Sequence, residues 1–136
     1  MKASDFWKVI CEQENYRFFT GLPSSAFAGL YKSMSSGFMH YIPAVSLDIA
    51  VKLILGASFG EANVALIIPS EYLDDLDLSL FEGNFDVLVI TDGSKQGRFK
   101  YKYYNLKSDV DCNFSKFLAD IRKEKVPGIL FLGEDI

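Results

Sequence analysis

One place in this chain sets a residue where an α/β fold could use it on a ligand, the start of a helix that follows a strand. Upstream of it, Gly21-Leu22-Pro23 stops the short run Arg17–Thr20, and Ser24 and Ser25 offer caps for a second helix. Ser46 stands at the head of Leu47–Phe59, after a second short run Phe38–Pro43, where its side chain can cap a helix. Open α/β sheets place ligands beside such helix N-termini, because the unpaired N–H groups and the macrodipole favour negative charge there. Very many folds share that geometry, so alone it identifies nothing. Elsewhere the chemical signals are sparse. Glu71, Asp74, Asp75 and Asp77 form one dense carboxylate group, which a solvated loop face explains more simply than metal binding. A single histidine, His40, has no Cys or carboxylate at ligand spacing nearby and reads as structural. There is no GxSxG elbow, no GxxxxGK(S/T) phosphate loop and no GxGxxG fingerprint. Cys11 and Cys112 are far apart and lack metal-like spacing, so no metal site is expected. Cys11 falls on the apolar stripe of a helix, which predicts a buried free thiol.

The elements that must position these residues follow from periodicity. Ser4 or Asp5 can cap a first helix with Phe6, Val9, Ile10 and Cys11 on one face. After the strand Arg17–Thr20, a second helix carries Phe27, Leu30, Tyr31 and Met34 on one side. A third, capped by Ser46, carries Ile49, Val51, Leu53, Ile54 and Leu55 and reads as nearly buried all round; its Ala50, Gly56 and Ala57 leave room for a second backbone. Strands follow at Val64–Ile68 and at Phe85–Thr91, the latter a continuous apolar run of the kind buried parallel strands show. Between them, Pro69–Asn84 holds at most a short helical turn. Phe99–Tyr104 alternates as a strand, Asn113 can cap a last helix Phe114–Lys123, and Ile129–Leu132 closes the chain. Six strands alternating with about four helices predict an α/β three-layer sandwich around a mostly parallel six-stranded central sheet.

Composition bounds the function. The chain has 136 residues, enough for one domain with a real core, and no linker divides it. With 49% apolar and 24% charged residues and a net charge of −4, it belongs with soluble globular proteins. Nucleic-acid binding is disfavoured, since phosphate neutralisation needs clustered cations. The one basic cluster, Lys95, Arg98, Lys100 and Lys102, alternates with Phe99, Tyr101 and Tyr103 as a half-exposed strand does anyway. Neither a signal peptide nor a membrane-length apolar run is present, so a cytoplasmic protein with reduced thiols and no membrane contact is expected.

Thr20-Gly21-Leu22-Pro23-Ser24-Ser25 resembles the pattern TG(V/L)PDS, and Ala44–Gly56 resembles AANEG-x-AVA-x-AAG. In that order and spacing they are similar to the pyrimidine-binding domain of thiamine-diphosphate decarboxylases, the phosphonopyruvate and sulfopyruvate decarboxylases in particular. The resemblance covers nearly all of residues 1–136 as a single pyrimidine-binding-like domain and is strongest over residues 4–68. It implies a thiamine-diphosphate site formed by Gly21, Leu22, Pro23, Ser24, Leu47 and Ser70, with the diphosphate and Mg²⁺ held by a partner chain. That partner would carry a GDG…N motif, which is absent here; Thr91-Asp92-Gly93 reads as a turn.

Three positions depart from the family pattern. Leu47 replaces the glutamate that protonates the cofactor's aminopyrimidine, Ser24 replaces an aspartate, and Ile68-Pro69-Ser70-Glu71-Tyr72 replaces QNSGLGN, keeping one hydroxyl. No catalytic residue is therefore assigned, although glutamate-free members of the superfamily exist with an apolar residue there. The resemblance leaves two roles open. One is a half-site subunit of a split 2-oxo-acid decarboxylase, a carbon–carbon lyase active only with its diphosphate-binding partner. The other is a non-catalytic relative serving as scaffold or regulatory subunit. Either implies a homo-oligomer or a hetero-oligomer, because Val51, Ile54, Leu55 and Phe59 cannot all face one side of a helix packed only on its own sheet.

Overall fold

Six strands form one sheet in which every neighbour runs parallel, in the order β2-β1-β3-β4-β6-β5. The strands are β1 (Tyr16–Gly21), β2 (His40–Pro43), β3 (Asn63–Ile67), β4 (Leu88–Asp92), β5 (Lys102–Leu106) and β6 (Gly128–Leu132). The computed structural model describes residues 2–33, 40–58, 63–82, 87–106 and 112–133, with 40 and 112 described through their backbone only. Strands β3, β4 and β6 are buried on both faces, which is why Val64–Ile68, Val87–Ile90 and Ile129–Leu132 read as unbroken apolar runs.

Helices cover both faces, which makes the fold a three-layer sandwich. On one side lie α1 (Ala3–Trp7, prolonged by a π-helical turn to Gln13), α2 (Ala28–Lys32) and α4 (Cys112–Glu124). Phe6, Ile10, Leu30, Phe114, Leu118 and Ile121 from these helices pack on Phe19, Ile67, Ile90 and Leu130. The opposite face carries α3 (Leu47–Ser58) and two 3₁₀ turns, Ser70–Asp75 and Leu78–Phe81. There Ala50, Val51, Ile54, Leu76, Leu78 and Phe81 meet Val64, Leu66, Val89 and Phe131. Trp7 donates its indole N–H to the Leu30 carbonyl at 2.7 Å, joining α1 to α2. Arg122 of α4 reaches back to Glu14, donating at 2.9 Å to the carboxylate and at 3.1 Å to its carbonyl.

Several sequence expectations need correction. The first helix begins at Ala3 with no side-chain cap, so neither Ser4 nor Asp5 caps it. Asn113 lies inside α4, which starts one residue earlier. The fifth strand is Lys102–Leu106 and not Phe99–Tyr104, because residues 93–101 cross over β6 as an irregular connection. Helix α3 is not buried all round: Asp48, Ile49, Lys52 and Gly56 are exposed, since it packs on the sheet by one side only. A Cβ on Gly56 would meet nothing in this chain. The expected members Met34, Phe38, Phe59 and Phe85 lie outside the described residues.

Candidate functional site

The order β2-β1-β3-β4 makes the chain leave β1 toward one side of the sheet and β3 toward the other. Doubly wound sheets bind ligands at such a switch point, beyond the carboxyl ends of the two diverging strands. Four of the six expected site residues lie there in sequence. Gly21 ends β1, paired in register with Pro43 and Ile67, and Leu22, Pro23 and Ser24 follow it. The Leu22 amide donates to the Ile67 carbonyl at 3.1 Å and the Ala44 amide to the Gly21 carbonyl at 2.9 Å, tying the ends of three strands together.

Gly21 is required by this close approach. A Cβ there would overlap the Ile67 carbonyl oxygen and lie 2.8 Å from the carbonyl carbon. Ser24 caps the next turn, its hydroxyl accepting from the Ala26 amide at 3.2 Å. Both residues thus have structural work apart from any ligand.

Leu47 is the first residue of α3, just beyond the end of β2. Ser46 caps the helix as expected, accepting from the Ile49 amide at 3.2 Å. The Leu47 side chain is half-buried and packs against the cluster containing Leu22, Ala44 and Ala50. Beside it stands an exposed apolar group: Val45 is 90% exposed, with Ile42 and Ile49 at 44% and 41%.

Ser70 follows β3 at the same edge but turns toward β4. Its amide donates to Asp92 Oδ1 at 2.8 Å and its hydroxyl to Oδ2 at 3.4 Å. Asp92 is a carboxylate of this edge that sequence reading placed in a turn; the available signal was its position directly after an apolar strand, where α/β sheets put functional groups.

Ser70 also borders a cleft of about 590 Å³ between residues 70–79 and the β4–β5 connection. Side chains pin that connection. Asn105 accepts from the Lys95 amide at 2.9 Å and donates to its carbonyl at 2.7 Å, and the Tyr103 hydroxyl donates to the Gly97 carbonyl at 2.6 Å. Gly21, Leu22, Pro23, Ser24 and Leu47 do not line this cleft.

Among the described residues, Cys11, Tyr31, Tyr41 and Tyr101 depart from ordinary titration, and none of them is an expected site residue. Burial pushes the Cys11 thiol up to about 11, which keeps it protonated and unreactive at neutral pH. Burial, with their mutual hydrogen bond at 3.2 Å, raises Tyr31; Tyr41 is raised by burial. A 2.6 Å hydrogen bond to the Glu82 carboxylate pushes Tyr101 up to about 12. Among the described residues no three His, Cys, Asp or Glu side chains converge as a metal site, and no helix is long and apolar enough to cross a membrane.

No protein-family model matches the chain. No curated protein matches its sequence. Among solved structures, the fold is similar to the 2-oxoglutarate:ferredoxin oxidoreductase from Magnetococcus marinus, solved with 2-oxoglutarate, coenzyme A and succinyl-CoA bound. The TM-score is 0.68 at 13% identity, over 99% of this chain and 29% of that one. At that identity the likeness is one of fold. What the two share is the α/β sandwich around a parallel central sheet.

Proposed function

We propose that this chain is the pyrimidine-domain half of a split thiamine-diphosphate-dependent enzyme acting on a 2-oxo acid, completed by a diphosphate-binding partner. One observation carries the reading: Gly21 to Ser24, Leu47 and Ser70 come to one edge of the sheet, at the ends of the adjacent strands β2, β1 and β3. The similar solved structure spans the whole sandwich and belongs to an enzyme of a 2-oxo acid. The phosphonopyruvate- or sulfopyruvate-type decarboxylation implied by the sequence resemblance is one reaction of that substrate class.

The residues present fit part of the cofactor. Leu47, half-buried against the cluster that holds Leu22, offers apolar contact to a flat ring, and the N-terminal end of α3 favours negative charge. They do not fit its activation, because Leu47 has no exchangeable proton and occupies the position from which the family's glutamate acts. When bound, the cofactor would supply the carbon nucleophile that attacks a 2-oxo acid. This chain's contribution is to hold the ring and shield it from water.

The exposed group Ile42, Val45 and Ile49 beside Leu47 supports association, since apolar side chains grouped at the mouth of a site are costly to leave in water. A non-catalytic scaffold or regulatory subunit is the second reading, and Leu47 itself favours it.

The test is to titrate thiamine diphosphate with Mg²⁺ into the chain alone and into its complex with a GDG…N-bearing chain encoded beside it, then assay both with 2-oxo acids. Cofactor binding and turnover confined to the complex support the half-site. Stable association without cofactor binding supports the scaffold. Turnover by the isolated chain refutes both.

A further inference from the structure

We infer that the cleft between residues 70–79 and the β4–β5 connection binds a small zwitterion, an α-amino acid with an apolar or aromatic side chain. The proposal goes beyond the function above and shares only Ser70 with it.

The two walls of the cleft carry opposite charge. Asp74 comes from the first 3₁₀ turn and Asp77 caps the second, while Lys95 and Lys100 come from the β4–β5 connection. Asp74 and Lys95 enter no ion pair among the described residues, and Lys100 reaches only Glu82, outside the cleft, at 4.0 Å. Between the walls the floor is apolar: Leu76, Leu78 and Phe131 are buried to 7%, 6% and 4% exposure. A net-neutral ligand with separated charges matches this lining, whereas a plain anion or cation would meet one wall of like charge.

Hydrogen-bonding polarity gives the orientation. The Ser70 hydroxyl donates to Asp92 and the Ser79 hydroxyl to Asp77, so both present lone pairs to a ligand. With Asp74 and Asp77 they make an acceptor-only wall suited to an ammonium group. Lys95 and Lys100 make a donor wall suited to a carboxylate. Lys95 Nζ already rests over the Phe99 ring at 5.2 Å and Lys100 Nζ over Tyr101 at 5.3 Å, so both cations sit beside the aromatic surface that an apolar side chain would cover. The volume of about 590 Å³ is ample for an aromatic amino acid.

Calorimetric titration of the full chain at low salt tests this with three probes. L-phenylalanine carries both charges, 3-phenylpropanoate lacks the ammonium, and 2-phenylethylamine lacks the carboxylate. The cleft is open to water, which screens each ion contact, so a Kd of about 1 mM is expected for phenylalanine. Each analogue should bind about tenfold more weakly. Asp74→Asn should lower phenylalanine to the level of 3-phenylpropanoate, and Lys95→Gln to that of 2-phenylethylamine. Both positions are at the surface, and unchanged thermal unfolding of the two variants verifies that the fold is intact. Absence of saturation by about 20 mM phenylalanine, equal binding of the three probes, or unaltered affinity in both variants would overturn the proposal.

Discussion

Replacing Gly21 by alanine probes the point where the ends of β2, β1 and β3 meet. The added methyl would overlap the Ile67 carbonyl oxygen, which belongs to backbone and cannot rotate aside. β1 and β3 must then separate at their carboxyl ends. That strains or breaks the bonds from the Leu22 amide to Ile67 (3.1 Å) and from the Ala44 amide to Gly21 (2.9 Å). Overpacking a dense interior costs about 1–3 kcal/mol and each lost hydrogen bond about 1 kcal/mol. The expected loss is about 3–5 kcal/mol, a large part of the ~5–15 kcal/mol that holds a domain together. Urea unfolding should show a lower midpoint at unchanged slope, and the melting temperature should fall by about 10–15 °C. The control is Gly56→Ala in α3, where a Cβ meets nothing in this chain. Alanine's better helix propensity should stabilise that variant by about 0.5–1 kcal/mol. A Gly21→Ala loss below about 1 kcal/mol would refute the close-approach reasoning, because it would mean the strand ends part freely.

Three further outcomes are expected. Leu47→Glu should change stability by no more than about 1 kcal/mol, since Leu47 is half-buried and the helix N-terminus favours a carboxylate; a loss of several kcal/mol in thermal melts would place the side chain deep in the core. Thr91→Val should be neutral or stabilising by up to about 1 kcal/mol, because it removes a buried hydroxyl that has no partner among the described residues, and clear destabilisation in urea would reveal a bond that the hydroxyl makes. Cys11 should resist iodoacetamide at pH 8 in a Cys112→Ser background and react once the chain is unfolded. Burial raises its folded pKa from 9.0 to about 11, so its stabilising contribution is full below pH 9 and is lost as pH climbs from 9 to 11; rapid native labelling would contradict the burial.

Much of the fold was legible because each strand and helix carries its own local signal. The run Val64–Ile68 and the part of Phe85–Thr91 from Val87 on mark strands sheltered on both faces, and Ser46 followed by apolar residues marks the start of α3. Where the local signal is ambiguous, distant contacts set the bounds. Alternation over Phe99–Tyr104 suits a strand equally well over 99–104 or 102–106, and Asn105 anchoring the Lys95 backbone decides between them from ten residues away. Apolar residues on α3 suggested burial all round, but a helix on the face of a sheet hides one side only, so Ile49 faces water.

For the candidate site, the sequence by itself determined which residue types stand after β1, β2 and β3, including a leucine at position 47. It also determined that those positions follow strands, because short-range pattern records strand ends. Only the tertiary structure decided that β1 lies between β2 and β3, bringing Gly21, Leu47 and Ser70 to one edge. Strand order depends on contacts between residues far apart in sequence, such as Gly21 with Pro43 and Ile67, 22 and 46 positions on, which no local periodicity encodes. The pairing of Ser70 with Asp92 and the opposed charges of the cleft arise in the same way, from crossovers that set distant segments side by side.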